Sequence, residues 1–341
     1  MQTFVNLPSP IQEITRRIIS RSNMRALRQH AEQLHARYMQ REAGDRQAFV
    51  KSPDDVLAYL CLRFPATYAQ IYGALAQIKE RNPDWKPARM LDVGCGPGTA
   101  IWAAKELWPS IGTAVGVDQV QHFLSVADEF ATVYRETLAP TWVKASFLNW
   151  VNDDQDTNQY DLVVVASVIN ELPGILKEQV LTHIAKKCSG ILVIIEPGTK
   201  DGVTLIERFA KTDAIKLPLL APYIDQTFVS DEKTWIHFSQ RFQRPDFMRL
   251  IRQSMRDSSL MASDWEEATY AYVARGSLPT TVSPWGVTIG KVEKYKGYLI
   301  VPVLTAEGIV RARVLKRHKE IYHAAKELRW GELLNKPIVT S

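Results

Sequence analysis

The stretch ARMLDVGCGPGTA, Ala88 to Ala100, carries the clearest chemistry in the chain. A short β-type run ends in Asp92 and is followed by Gly94, Gly96 and Gly98, then by a helical pattern. Glycines at a strand-to-helix turn let the backbone approach a ligand closely, and the first turn of the helix offers N–H groups without intrahelical partners. A dinucleotide turn of the G-x-G-x-x-G type asks for glycine at 99, where this chain has Thr99. Here an acid stands two residues before a G-x-G-x-G run instead. A second acid, Asp118, ends the next β-type run, VGVD, 24 residues after Gly94. A carboxylate at that place can accept hydrogen bonds from both hydroxyls of a ribose. The alternative is a glycine turn kept only for packing; the ordered series of strand, loop, helix and second acid argues against it.

The loop resembles the nucleotide loop of class I S-adenosylmethionine-dependent methyltransferases. That resemblance implies S-adenosylmethionine as cofactor, held by Asp92, Gly94, Cys95, Gly96, Gly98, Thr99, Asp118 and Gln119. Ser146 and Phe147, after the third strand, would flank the adenine; many members of the class have an acid there and this chain has none. SVINELP, Ser167 to Pro173, follows the fourth strand, where acceptors meet the sulfonium in such enzymes. Ser167 would line the pocket, and Asn170 or Glu171 could orient an acceptor nitrogen. Glu171 has a second reading, as an acid favoured by a helix N-terminus. A sulfonium is already strongly electrophilic, so positioning can carry most of the barrier lowering and no general base is required.

A third candidate is TWIHFSQRFQR, Thr234 to Arg244. Its histidine among aromatics and arginines suggests a catalytic segment, a metal-site fragment or a strand. Ile236, Phe238 and Phe242 fall on one side at strand period, with Trp235, His237, Ser239 and Arg241 on the other. The alternation favours a late strand, which leaves His237 on a polar face able to contact an acceptor or RNA. A lone histidine is more often structural than a ligand.

The elements that must hold these residues fall into three units. Residues 1–85 read as a helical region: Leu27, His30, Leu34 and Tyr38 recur at helical spacing, as do Ile71, Leu75 and Ile78. Ser52-Pro53-Asp54-Asp55 reads as a capped helix start. Residues 86–276 alternate short β-branched runs at 90–94, 113–118, 141–145, 160–167 and 190–196 with helical stretches, which predicts an α/β, parallel, Rossmann-like sheet. The segments at 234–244 and 266–276 would add an antiparallel pair to its end, with a helix beginning at Pro245 between them. Residues 277–341 read as a small β-rich unit of three short strands with a final helix at about 317–328.

With 341 residues, 46% hydrophobic and 23% charged, the chain has normal globular composition and more length than one core usually holds. The net charge of +5 is uneven. Nine Arg or Lys face three acids between Arg16 and Lys51, and ten face four between Lys291 and Arg329. Two basic ends suit a polyanion such as RNA; solvated helix faces are the other reading. Cys61, Cys95 and Cys188 lie far apart and form no C-x-x-C pair, which suggests neither a zinc ribbon nor a disulfide framework. No apolar run is long enough to span a membrane. The first twenty residues lack a secretory h-region, and Glu13 with the early prolines argues against a transit peptide. The expected setting is reducing and cytoplasmic.

Several stretches in order are similar to one family, the methyltransferase-like assembly factors of the small ribosomal subunit: RFPATYAQIYGAL (63–75), MLDVGCGPGTAIWAA (90–104), IIEPGTKDG (194–202), LLAPY (219–223), WIHFSQRFQR (235–244), EEATYAYVARG (266–276) and KEIYHAAKELRWGELL (319–334). The resemblance implies a class I methyltransferase fold, cofactor binding, association with the small subunit or its rRNA, and a cysteine-ligated iron–sulfur cluster. The family's cysteines stand just after the A-P pair, a few residues later, before the HFSQR histidine and in the C-terminal unit. This chain has Tyr223 and Ile236 at the first and third of these places, and none of its cysteines lies in these regions. Clusters need thiolates, so neither a cluster nor any other metal is expected. Three functions follow: a methyltransferase on rRNA or in small-subunit assembly, a methyltransferase repurposed for a peptide, protein or small-molecule acceptor, and a non-catalytic assembly factor.

Overall fold

The structure is a computed structural model that describes residues 4–39, 50, 52–146, 150, 158–172, 174–228, 235–255, 263–276 and 283–338. Four helices come first: α1 (Ser9–Ser20), α2 (Met24–Met39), α3 (Pro53–Leu62) and α4 (Phe64–Arg81). The Ser52 hydroxyl accepts from the Asp55 N–H at 3.1 Å, and Pro53 takes the first helical position, where its missing N–H costs nothing. Pro65 plays the same part in the first turn of α4.

The next elements are β1 (Arg89–Val93), α5 (Thr99–Leu107), β2 (Thr113–Asp118), α6 (Gln121–Ala131), β3 (Ala139–Lys144), β4 (Tyr160–Ala166), α7 (Gly174–Lys186) and β5 (Cys188–Pro197). There follow α8 (Lys200–Lys211), β6 (Leu219–Ala221), β7 (Phe238–Gln243), α9 (Asp246–Ser254) and β8 (Trp265–Gly276). The strands order as β3-β2-β1-β4-β5-β8, with β6 and β7 both along the outer edge of β8. The first five are parallel, and β8 runs antiparallel to β5. Leu162 to Val165 on β4 and Ile191 to Val193 on β5 are fully buried, as strands covered on both faces must be. Right-handed crossovers put α5 and α6 on one face and α7 on the other. The chain winds outward in both directions from β1 and β4. Their carboxyl ends therefore form the switch-point crevice where open α/β sheets bind ligands. This is the class I methyltransferase sheet that the sequence predicts, with the antiparallel β7–β8 pair at its edge and β6 added.

One apolar core joins the first four helices to this sheet: Ile11, Leu27, Leu34, Leu60 and Phe64 belong to the same cluster as Leu91, Val163 and Ile194. Their charges are mostly matched locally. Arg16 pairs with Asp246, Arg21 with Glu129, Arg28 with Glu32 and Arg37 with Asp55. No helix among the described residues is long and apolar enough to cross a membrane.

The C-terminal unit is an antiparallel sheet of β9 (Gly286–Thr288), β10 (Glu293–Tyr295), β11 (Tyr298–Thr305), β12 (Gly308–Leu315) and β13 (Leu333–Leu334), with α10 (Lys319–Glu327). Five strands stand where three are legible, because β10 and β13 are too short to show a period. Ala325 of α10 packs on Leu299, Val301 and Val314 in a small core of its own, so α10 covers one face of this sheet. Segments near both ends of the chain fasten to β7. The Val5 N–H donates to the Arg241 carbonyl at 2.9 Å, and Trp330 Nε1 donates to the His237 carbonyl at 2.6 Å.

Candidate functional site

The site is built on the loop after β1. Gly94, Gly96 and Gly98 have φ of 73°, 53° and 77°, a region that side-chained residues rarely occupy. At Gly94 a Cβ would meet Val168 at 2.7 Å, so its absence lets the loop after β4 close against the loop after β1. At Gly96 a Cβ would meet nothing within 4 Å: that position faces open space, where a ligand can approach the backbone. The loop is held from below. Trp102 Nε1 donates to the Pro97 carbonyl at 2.7 Å, and its indole stacks on Tyr134 with ring centroids 5.4 Å apart.

Two acids flank this opening. Asp118 Oδ2 accepts from the Gly96 N–H and Oδ1 from the Val120 N–H, both at 2.8 Å. Each oxygen keeps a second lone pair for a ligand hydroxyl. Burial raises the Asp118 carboxyl above its ordinary range, and the N–H groups of Val120, Gly96 and Gln119 partly oppose the rise. Asp92 is 1% exposed, and its Oδ2 has no hydrogen-bond partner among the described residues. Burial, then the charge of Asp118, pushes it up to about 8, against the N–H groups of Ala100 and Ile101. A buried carboxyl with an open acceptor, beside a second acid, is the electrostatic complement of a cation. Amino-acid ammonium and sulfonium groups of S-adenosylmethionine carry that charge, and its ribose hydroxyls match Asp118. The residues present fit the cofactor.

The loop cysteine does different work. Cys95 lies 3% exposed in the loop, and burial with the neighbouring charges of Asp92 and Asp118 pushes its thiol well up. Cys61 and Cys188 are buried elsewhere, and desolvation raises each to about 12. All three remain neutral thiols at physiological pH. Among the described residues no three His, Cys, Asp or Glu side chains group as a metal-ligand set.

At the carboxyl end of β4, Ser167 adopts a left-handed φ of 57°, and its N–H donates to Ile195 O at 2.8 Å. Asn170 follows on a short 3-10 turn and donates from Nδ2 to Glu196 Oε2 at 2.7 Å. Glu196, the last residue but one of β5, is 1% exposed. Thr99 opens α5, Gln119 is exposed at the end of β2, and Ser146 is half-buried after β3. The structure thus brings Asp92, Gly94 to Thr99, Asp118, Gln119, Ser146, Ser167 and Asn170 to adjacent strand ends. Phe147 and the Glu171 side chain lie outside the described residues.

His237 is not brought to this crevice. It precedes β7, three strand spacings from β4, or roughly 14 Å at the usual interstrand distance. Its ring meets the edge of Trp330 with centroids 4.6 Å apart, and Nδ1 lies 2.8 Å from the Trp235 carbonyl. Expected on a face open to an acceptor, His237 joins the C-terminal segment instead, and Arg241 on the same face pairs with Glu267. Ile236, Phe238 and Phe242 are buried as the alternation predicts.

Two site residues escape a reading of the sequence. Glu196 is visible only as an acid closing an apolar strand at the sheet's carboxyl edge. Tyr59 comes from α3: its hydroxyl approaches the Thr99 side chain and lies in the field of Asp118. Through Tyr59, α3 therefore reaches the crevice, a long-range contact without local signal.

The model of the family described as "Mitochondrial small ribosomal subunit Rsm22" matches residues 53–335. The human protein "Ribosome assembly protein METTL17, mitochondrial" is 25% identical over 295 residues, covering 83% of this chain and 63% of its own length. Rsm22-cox11 tandem protein 2, mitochondrial, of Schizosaccharomyces pombe is 24% identical, covering 85% of this chain and 44% of its own. The chain thus spans under two thirds of these relatives. Among solved structures, the plantazolicin methyltransferase BpumL in complex with SAH aligns at TM-score 0.36 and 12% identity, over 79% of this chain and 100% of that one. Magnesium protoporphyrin IX methyltransferase from Synechocystis PCC 6803 with bound SAH aligns at 0.35 and 13%, over 71% and 91%. The relatives overturn the cytoplasmic setting expected from the sequence: the human and yeast proteins are mitochondrial, as is the subunit in the family's description. Buried thiols and the lack of an apolar span mark no particular compartment, so that expectation had no physical basis in the fold. Over residues 53–335, from the first residue of α3 to just past the last strand, the chain belongs to the Rsm22 family of the mitochondrial small ribosomal subunit.

Proposed function

We propose that the chain serves assembly of the small ribosomal subunit as a class I methyltransferase-like factor that binds S-adenosylmethionine. The observation that carries the cofactor is Asp92, a fully buried carboxyl with an open acceptor beside the Gly96 opening. Membership of the family, and a human relative that is a ribosome assembly protein, support the ribosomal part. In this reading Asp118 holds the ribose hydroxyls, Asp92 faces the cationic end, and Gly94 to Thr99 follow the cofactor along the loop. Gln119, Ser146 and Phe147 border the adenine. Ser167, Asn170 and Glu171 face the acceptor, with Glu196 fixing the Asn170 amide through their 2.7 Å bond. When bound, the cofactor supplies an electrophilic methyl group; the chain's own residues bind it, orient it and keep water from it.

The proposed partner is the small subunit or its rRNA. The chain works without an iron–sulfur cluster: Tyr223 and Ile236, at two places where the resemblance expects cysteines, are packed at 1% and 4% exposure. Iron and sulfide added anaerobically should then leave no charge-transfer absorbance.

Calorimetric titration with S-adenosylmethionine tests the cofactor. Binding by the wild type that is lost in Asp118→Ala is expected, and no binding by the wild type removes this reading. Incubation of labelled cofactor with particles from cells lacking the gene tests turnover. Label in small-subunit RNA is expected; label only in protein or small molecules moves the acceptor elsewhere.

A further inference from the structure

The two basic ends of the chain differ once folded. Arg16, Arg21, Arg28 and Arg37 pair with acids within the fold, whereas the C-terminal sheet leaves an unusual face open. On β11 Leu299, Val301 and Val303 are buried toward α10, so Tyr298, Ile300 and Pro302, all partly exposed, point the other way; only at the far end, at Leu304, is that second face buried in the main core. Register places Tyr295 of β10 beside Tyr298, and Arg313 of β12 beside Ile300. On that outer face the rings of Tyr295 and Tyr298 stack with centroids 4.9 Å apart and planes 10° apart. The Arg313 guanidinium lies 4.3 Å from the Tyr298 centroid.

These three groups form one ladder, guanidinium on ring on ring. It ends at Tyr295, which is 47% exposed on an edge strand paired on one side only. Glu293 fixes the end ring by accepting from the Tyr295 hydroxyl at 2.8 Å, and Arg311 Nη2 lies 2.8 Å from both oxygens of the same carboxylate. The acid on the face is therefore matched. Arg313 and, around the adjoining turn, Lys296, Lys316 and Arg317 are exposed and make this rim rich in cations.

We propose that this face binds single-stranded RNA, a base adding to the open ring of Tyr295 while Arg313 and the lysines of the turn take the phosphates. Bases stack on aromatic and guanidinium planes without sequence preference, and a nearby cationic rim tracks the backbone. An apolar protein partner would not need the excess charge. A duplex keeps its bases stacked internally and offers none to the ladder. The site is separate from the crevice and draws on the ribosomal reading only for RNA as the polymer present.

The test uses the full chain and a fluorescein-labelled oligouridine of about twelve nucleotides, within the usual site size for one small β module. Tyr295→Ala should weaken binding about tenfold to a hundredfold, the range for losing one stacked base. Tyr295→Phe should stay within about twofold of the wild type, which also shows that the unit folds. Arg313→Lys, which keeps the charge but not the plane, should lose about fivefold. An RNA duplex should bind all four proteins alike. Equal oligouridine affinity for Tyr295→Ala and the wild type overturns the site, as does a loss in Tyr295→Phe equal to that in Tyr295→Ala. Co-sedimentation with small subunits separates the two readings. If the wild type fails to co-sediment while oligouridine binding depends on Tyr295, the ribosomal reading falls and the site stands. If it co-sediments and Tyr295→Ala changes nothing, the site falls and the ribosomal reading stands.

Discussion

At the carboxyl ends of β1 and β2 the chain buries Asp92 and half-buries Asp118, two carboxyl groups raised by desolvation; at the β6–β7 edge it buries Tyr223, Ile236 and Phe238. Both regions are strand ends of one sheet, and both were candidates for chemistry. The first keeps groups whose desolvation lowers stability. The second has apolar side chains at two places where the resemblance expects cysteines, and its histidine leans on Trp330. Retained unfavourable burial is what separates a site from a scaffold, because folding alone would favour the apolar filling.

The sharpest break of that comparison comes from the edge. Phe238→Ala removes a fully buried ring and should cost about 3–5 kcal/mol in urea unfolding, leaving cofactor affinity of the folded protein unchanged. Asp118→Ala should do the reverse. It should weaken S-adenosylmethionine about a hundredfold, roughly 2.7 kcal/mol, by calorimetry, with a smaller loss of stability from the freed Gly96 and Val120 N–H groups.

Asp92→Asn sharpens the contrast through pH. Asp92 titrates at about 8 in the fold against 3.8 for an ordinary aspartate. Below the lower value both folded and unfolded chains hold the proton and the group costs nothing. Between the two, the unfolded chain gains by ionising and the native state does not, so stability falls as pH rises and then levels. The variant should be more stable than the wild type at pH 8 by about 2 kcal/mol or more, with the gain gone near pH 4, and should bind the cofactor less well. An unchanged pH profile in urea melts would count against a buried, raised carboxyl. His237→Ala should have the smallest effect, about 1 kcal/mol in stability from the lost contact with Trp330, with cofactor affinity unaltered. A large loss of affinity there would return the edge to the site.

What the sequence makes legible follows the range of the interaction. β2 and the last four residues of β1 lie where the β-branched runs and the glycine turn put them, since strand, turn and cap are local. Ser52 and Pro53 announce α3 for the same reason. α8 is absent from that reading although Thr199 caps it by accepting from the Gly202 N–H, because Gly202 in its first turn reads as a breaker. β6, three residues long, has no period to detect. In the site, Asp92, the glycines and Asp118 belong to one motif. Glu196 acts through an amide 26 residues away, and Tyr59 reaches Thr99 from another helix. Such pairings exist only after the chain has folded.

β7 holds on to Val5 at one end and to Trp330 near the other. During synthesis these partners emerge some three hundred residues apart, so the strand's last contact cannot form until the segment around Trp330 has been made. Until then one strand border stays open to other pairings, the condition in which β edges join wrong neighbours. The segment around Trp330 is thus a late latch, and a ribosome that stalls ahead of it would release an unlocked protein.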